Sequence, residues 1–413
     1  MWELIRANRR KSLVLFVMMG VILLLLGFVI GTALGGPETG YTGIIIATLI
    51  WLVMTLVGIY SGSSILLASS NAVKVERSVH PRLFNVVEEM QMSAGLKKMP
   101  EVYIIQSDAL NAFATGRNPE NSAIAVTAGL LAVANRDELQ GVVAHEMSHI
   151  VNRDIRFMTF AGIMLGSIVL ISQVFMRGMF YSSMGRYRGS SKDNGAGQLI
   201  IMAVALLFAI LAPIAAQLLY FAVSRKREYL ADASAVKLTR YPEGLASALE
   251  KISGSTADLE SANKVTAPMY IANPLKAKGQ RMRNLSSTHP PIEERIRILR
   301  ALSGASYINY QETWQQVTGR NARLMPGSAL AETETMAFRQ KGEALIPEPA
   351  GLPFDAPAAT QGSKAFKRSA GNLVMAANGF RFLDCSCGLK FKIPPGFSGK
   401  ELKCSRCGTV HPL

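Results

Sequence analysis

The chain has 413 residues, of which 49% are hydrophobic, with a net charge of +15 and a mean hydropathy of +0.22. That balance excludes an ordinary soluble enzyme with a charged surface on every side. The positive charge fits Lys and Arg beside an anionic leaflet, and no basic motif interleaved with aromatics points to nucleic acid outside the C-terminal tail.

Leu13 to Leu34 is an uncharged apolar run, and Ile44 to Leu67 is another. Each exceeds the ~20 residues needed to cross a hydrocarbon core. The first is longer than the roughly 7–15-residue apolar region of a signal peptide and lacks a small-x-small cleavage site, so it predicts a retained anchor. Arg6, Arg9, Arg10 and Lys11 precede it, Gly35 to Gly43 holds no Lys or Arg, and Lys74, Arg77 and Arg82 follow the second run. By the positive-inside rule the N-terminus and the segment after residue 70 face the cytoplasm.

Two short strands are expected next, Glu101 to Ser107 and Ser122 to Thr127, joined through Asn111. Asn135 then starts a helix, with Glu138 in capping-box position. Leu139, Val142, Val143, Met147, Ile150 and Val151 recur at helical spacing. Within this helix His145-Glu146-Met147-Ser148-His149 reads H-E-x-x-H. Positions i and i+4 share a face, so both imidazoles can hold one Zn²⁺, with Glu146 as general base. A pair of satisfied core histidines is the plain alternative.

Two more apolar runs follow, Phe157 to Met176 and Leu199 to Val223, the latter with Pro213, which a membrane helix tolerates. The loop between them carries Arg177, Arg186, Arg188 and Lys192. The pair forms two full spans or a hairpin at the cytoplasmic face; either returns the chain to the same side.

A catalytic zinc needs three protein ligands and an open position. Asn152 and Ile155 exclude the extended H-E-x-x-H-x-x-G-x-x-H form. The remaining histidines are His80, His289 and His411; His80, followed by Pro, reads as a helix-start residue. A better candidate is Glu228, with Asp232 at i+4 to orient a ligand histidine. Spacing alone leaves open whether these two form a metal site or a solvated acidic face.

These motifs together resemble the HtpX-type membrane zinc metallopeptidases, relatives of the CAAX prenyl proteases. The resemblance rests on H-E-M-S-H with I-V-N-R-D after it, on S-R-K-R-E-Y-L-A-D-A, on Asn111-Ala112-Phe113-Ala114-Thr115-Gly116, and on Thr288-His289-Pro290-Pro291 with Glu294-Arg295-Ile296. It covers roughly residues 1 to 302. It implies Zn²⁺ on His145, His149 and Glu228, with Glu146 as base. It also implies substrate-backbone contact at Asn111, with Ala112 and Phe113 beside it, and cleavage of damaged or misassembled membrane proteins at the cytoplasmic face. It places His289 near the oxyanion, and Asp232 and Arg295 behind the ligands. An exposed strand edge at Asn111 would hold an extended peptide by strand addition. His289 could instead simply precede the Pro290-Pro291 helix start.

Beyond about Gly304 the resemblance fades. Met325 to Asn378 is rich in Ala, Gly and Pro with little periodicity and reads as a linker. All four cysteines follow: Cys385, Cys387, Cys404 and Cys407. In a cytoplasmic segment two close pairs fit a structural tetrahedral zinc better than disulfides. Lys390, Lys392, Lys400, Lys403 and Arg406 make this module basic, a feature of protein- or nucleic-acid-binding ribbons, and His411 is a spare ligand.

The expected fold is a mainly α membrane protein: transmembrane helices, an α+β zincin-like peptidase domain and a small C-terminal zinc ribbon. Its parts are a two-helix anchor (1–70), a peptidase domain (71–302) interrupted by a hydrophobic pair (157–223), an extension and linker (303–378) and the ribbon (379–413). The expected function is a zinc metalloendopeptidase acting on proteins in a bacterial inner membrane. The alternatives are a membrane-tethered adaptor recruiting partners through its tail, and prenyl-peptide processing, which the small number of apolar runs disfavours.

Overall fold

A computed structural model describes residues 2–185, 195–255, 257–260, 267–272, 274, 289–325, 327, 329–331, 337–340 and 359–413. Helices α1 (Trp2–Gly35) and α2 (Pro37–Tyr60) open the chain as an antiparallel pair turning at Gly36. Glycine sets their contact: a Cβ on Gly27 would lie 2.6 Å from the Gly43 carbonyl oxygen, and one on Gly43 2.1 Å from that of Gly27. Such close backbone approach drives helix association where lipid removes the hydrophobic effect. Helices α7 (Asp154–Gly185) and α8 (Gly195–Thr239) form the second pair. Four stretches are long and apolar enough to cross a membrane: Leu13–Gly35, Pro37–Tyr60, Asp154–Met179 and Ile200–Leu218. They overlap the four apolar runs, although the second begins earlier than Ile44 and ends at Tyr60, the residues up to Leu67 belonging to a separate short helix. Of the loop cations between the last two, Arg186, Arg188 and Lys192 lie outside the described residues.

After the short α3 (Gly62–Ser69), a sheet forms from β1 (Ala72–Lys74), β2 (Glu101–Ile105), β3 (Ala112–Asn118) and β4 (Asn121–Thr127), in the order β1-β2-β4-β3. Strands β2 and β4 are parallel; the other pairs are antiparallel. The expected strands are β2 and β4. The segment after Asn111, read as a connection, is itself a strand because Ala112 to Asn118 folds back on β4 through a tight turn, where Asn118 Oδ1 accepts the Asn121 N–H at 2.8 Å. Both faces of the sheet are covered. Val102, Ile104, Ala112, Ala114, Ile124 and Val126 face the core around the H-E-x-x-H helix. Their neighbours Ile105, Phe113, Ala123 and Ala125 join a second core shared with the membrane helices. This is the period-two alternation of a strand, buried twice over.

Around the sheet lie α4 (Pro81–Ser93), α5 (Ala128–Val133), α6 (Arg136–Val151), α9 (Pro242–Gly254) and α10 (Ile292–Arg300). His80 caps α4, its Nδ1 accepting the Leu83 N–H at 3.0 Å, as the His-Pro sequence predicts. Helix α6 is buried at every residue from Glu138 to Ile150, so it carries His145, Glu146 and His149 in the middle of the domain.

The stretch 303–378, expected as extension and linker, holds two packed helices, α11 (Tyr307–Thr318) and α12 (Lys364–Ala377). Phe366, Ala370 and Leu373 bury one face of α12 in the same core as α6, against α5. The apolar period was too short to stand out from its Ala- and Gly-rich surroundings. Of the linker proper, 326, 328, 332–336 and 341–358 lie outside the described residues. The C-terminal module is two hairpins, β5 (Arg381–Asp384) with β6 (Lys390–Ile393) and β7 (Glu401–Lys403) with β8 (Val410–Pro412).

Candidate active site

Helix α6 is fixed at its start by the capping box the sequence predicts: Asn135 Oδ1 accepts the Glu138 N–H and Glu138 Oε2 accepts the Asn135 N–H, both at 2.8 Å. Lys251 on α9 also donates to Glu138, at 2.7 Å. Three turns on, His145 and His149 face α8, a single helix that runs from the fourth apolar stretch to Glu228 and Asp232. One continuous rod thus connects the membrane segment to the site.

The Nε2 atoms of His145 and His149 are 3.3 Å apart, and each lies 3.6 Å from a Glu228 carboxylate oxygen. Ligands held about 2.0–2.1 Å from a tetrahedral ion stand roughly 3.3–3.5 Å from one another. The three side chains are almost wholly buried, at 0%, 4% and 1% exposure. Burial pushes Glu228 up, but His289, His145 and His149 outweigh it and hold the carboxyl well below its usual range. For His145 burial acts downward, and Asp232 with Glu228 overrides it, lifting the imidazole to about 9. The pocket favours positive charge at the point where the three ligand atoms meet, so the donor set fits a divalent cation.

Each ligand has its own support. His145 Nδ1 is 2.9 Å from Asp232 Oδ1, and Arg295 grips both Asp232 oxygens at 2.8 and 2.6 Å. These are the positions that spacing and resemblance assign to Asp232 and Arg295. For His149 the partner is Asp154, with Oδ2 3.4 Å from Nδ1, and sequence reasoning missed it. The available signal was an acid just beyond the helix end, inside I-V-N-R-D. Arg227 approaches Asp154 at 3.5 Å and lies over the Phe157 ring at 4.0 Å.

Glu146 is 1% exposed, and neither carboxylate oxygen has a side-chain hydrogen-bond partner among the described residues. Burial raises its pKa. His289 is buried beside the cluster, Nδ1 3.0 Å from Glu228 Oε2. It is not the cap of α10, whose cap position is Pro291; Thr288 lies outside the described residues.

Asn111, Ala112 and Phe113 sit at the start of β3, the sheet edge beside α6. The edge was expected to be exposed, and it is not. The Ile271 N–H donates to the Ala112 carbonyl at 2.9 Å, Asn111 Nδ2 donates to the Ala272 carbonyl at 2.9 Å, and Arg295 Nη1 donates to the Ile271 carbonyl at 3.0 Å. Tyr270 packs edge-on against Phe113, centroids 5.1 Å apart. Residues 270–272, after a 3₁₀ turn at Ala267–Met269, therefore take the hydrogen bonds that an added strand would make.

The cysteines form a second cluster. Cys385 Sγ lies 3.4 Å from Cys407 Sγ, and Cys387 Sγ 3.5 Å from Cys404 Sγ. These separations are far beyond the ~2.05 Å of a disulfide and near the ~3.8 Å sulfur spacing around a tetrahedral zinc. Each hairpin turn folds back on its first cysteine: Gly388 N–H donates to the Cys385 carbonyl at 2.8 Å, and Gly408 N–H to the Cys404 carbonyl at 2.9 Å. His411 instead lies near the Phe391 ring, outside the four-sulfur set.

An H-E-x-x-H helix facing a glutamate on a membrane-derived helix defines a membrane metalloprotease. The chain belongs to peptidase family M48, whose profile matches residues 77–303. It is 46% identical over 301 residues to "Protease HtpX homolog" of Dictyoglomus turgidum, covering 73% of this chain and 94% of that one. To the protein of the same description in Streptococcus gordonii it is 40% identical over 302 residues, covering 73% of this chain and 100% of the other. Among solved structures, "Crystal Structure of S. mikatae Ste24p" aligns at a TM-score of 0.36 and 21% identity, over 72% of this chain and 67% of that one. That likeness is too loose to carry an argument.

Proposed function

We propose that this metalloprotease is a zinc endopeptidase that cleaves membrane-embedded or misfolded proteins at the cytoplasmic face of a bacterial inner membrane, in quality control. The observation that carries the catalytic reading is the Glu146 carboxylate, buried with no side-chain hydrogen bond among the described residues beside His145, His149 and Glu228. A buried acid with no side chain to hold it in that position is available for a proton. Zinc, when held by those three ligands, supplies Lewis-acid polarisation of the scissile carbonyl. Glu146 takes a proton from the attacking water and delivers it to the leaving amine, a role its raised pKa suits. His289 donates to the oxygen on which negative charge develops. Asp154, Asp232 and Arg295 hold the two imidazoles in place. An extended substrate pairs with β3 at Ala112, with Asn111 gripping its backbone, after residues 270–272 yield that edge.

The cytoplasmic assignment rests on the basic residues before the apolar stretch Leu13–Gly35 and after α2 and on the absence of Lys and Arg from 35–43. The four cysteines hold a second, structural zinc that folds the terminal hairpins. Changing Glu146 to Gln should leave metal content intact and lower casein hydrolysis by about 10²–10⁴-fold, the usual contribution of a general base. Undiminished proteolysis with full metal content would reject Glu146 as the base.

A further inference from the structure

A cavity of about 920 Å³ lies apart from the metal cluster, where the ends of three membrane stretches meet the peptidase domain. Its walls come from the start of α1, the end of α2 with α3, the start of α7, and the β3–β4 turn. Its lining combines two chemistries. Leu13, Phe16, Ile59 and Leu67 contribute apolar surface. Arg10, Arg117, Arg153 and Arg156 contribute positive charge, all of them exposed and with no ion pair among the described residues. Lys98 adds a fifth cation. Two carboxylates border the cavity, but Glu101 is already bound by Lys74 at 2.6 Å and by the Tyr103 hydroxyl at 3.0 Å, leaving Glu120 against five positive groups.

Five cations thus border the cavity against one carboxylate that no salt bridge already holds, and an excess of positive charge of that kind calls for an anion. The backbone points the same way. Arg153 occupies the left-handed region at φ 58°, in the turn that joins α6 to α7. Glycine or asparagine reaches that conformation more readily, yet the sequence puts an arginine there, and it lines the cavity.

We propose that this cavity is a binding site for one anionic phospholipid. The arginines take the phosphate through charge-assisted hydrogen bonds, and an acyl chain lies along Leu13, Phe16, Ile59 and Leu67. Basic pockets between membrane helices at the level of the headgroups recognise anionic lipids in this way. The depth fits, because Arg10, Arg153 and Arg156 stand at the ends of Leu13–Gly35 and Asp154–Met179, where a bilayer places its phosphates. The site is independent of the protease reading: it needs only that these helices lie in a membrane.

The test is native mass spectrometry of the full-length protein in a neutral detergent, titrated with phosphatidylglycerol, with phosphatidylcholine of the same chains, or with glycerol phosphate. Wild type should retain one phosphatidylglycerol per chain in preference to phosphatidylcholine, and glycerol phosphate should not displace it at equal concentration. A triple variant, Arg117→Ala with Arg153→Ala and Arg156→Ala, should bind phosphatidylglycerol about a hundredfold more weakly, taking roughly fivefold per arginine. Lys390→Ala with Lys392→Ala, on the distant ribbon, should leave binding unchanged. If the triple variant does not fold, Arg117→Glu alone, at the exposed end of β3, should weaken binding about tenfold or more. Equal affinity for the two lipids, unchanged binding in the arginine variants, equal loss in the lysine variant, or equal binding of glycerol phosphate would each overturn the proposal; the last would leave a site for a free phosphate ester.

Discussion

The molecule holds two candidate metal centres built on opposite plans. The peptidase centre takes unlike ligands from two long helices, buries them almost completely, and surrounds them with Asp154, Asp232, Arg295, Glu146 and His289 from four parts of the chain. The cysteine centre takes four like ligands from two adjacent hairpins, with Cys387 half-buried and Cys407 exposed. A four-thiolate set is closed: it needs no further group and leaves no position for a substrate. The peptidase set has three ligands, and the remaining chemistry must be supplied by residues that only a folded domain brings together. The difference extends to stability. Two-stranded hairpins are marginal alone, so a metal on the four cysteines would supply much of the ribbon's stability, whereas α6 is held by a capping box and a large apolar core.

The largest expected effects follow from treating the centres as independent. Glu228→Ala should remove the peptidase metal, abolish detectable proteolysis and leave the ribbon's zinc in place. Cys404→Ser should do the reverse, losing the terminal zinc and the hairpin fold while casein hydrolysis stays within about twofold, because no ribbon residue enters the peptidase cluster. Metal stoichiometry by elemental analysis should fall from two to one in each variant. If Cys404→Ser also silences the enzyme, the two centres are coupled and the contrast between them fails.

The same contrast explains what was legible in the sequence. Local patterns were: H-E-x-x-H, the Asn135–Glu138 capping box and the paired cysteines each lie within a few residues of one another. Glu228 and Asp232 were legible as an i, i+4 pair, though only tertiary structure brings them to His145. What was hidden had a different physical basis. Asp154 supports His149 from beyond the end of α6, after a left-handed turn at Arg153, so no helical register points to it. Ile271 closes the β3 edge through a backbone N–H, a group that almost every residue carries, so no side chain marks it. The docking of α12 depends on four buried side chains, two of them alanines, in a segment whose composition otherwise reads as linker.

Supporting groups sharpen the comparison at an intermediate scale. Asp154→Ala removes the acid that orients His149 and should weaken peptidase-site zinc binding about 10–100-fold, the usual effect of losing such a partner. Competition with a chelator of known affinity measures it. In the ribbon the nearest counterpart is Thr409, whose side chain lies 3.2 Å from Cys407 Sγ and, with its backbone, lowers the thiol to about 6. Thr409→Ala should raise that thiol pKa, yet change zinc affinity by less than about tenfold, because three other sulfurs and the hairpin turns still define the site. Equal losses in the two variants would mean that the buried and exposed centres depend on their surroundings to the same degree.

The smallest expected effect concerns the edge of β3, for which the ribbon has no counterpart. In the proposed binding mode substrate takes the Ala112 carbonyl, which Ile271 already occupies at 2.9 Å. Ile271→Pro deletes the donor and trades a buried Ile side chain for a smaller ring, while keeping the carbonyl that Arg295 binds. One hydrogen bond is worth about 0.5–1.5 kcal/mol net, so the substrate-accessible edge should become roughly two- to tenfold more populated. If only that population limits binding, kcat/KM for an unfolded protein substrate should rise by the same factor, with zinc content and the cleavage sites unchanged. An unchanged or lower kcat/KM with full zinc content would show that residues 270–272 do not compete with substrate, and that the edge they cover is part of the rigid site and not its guard.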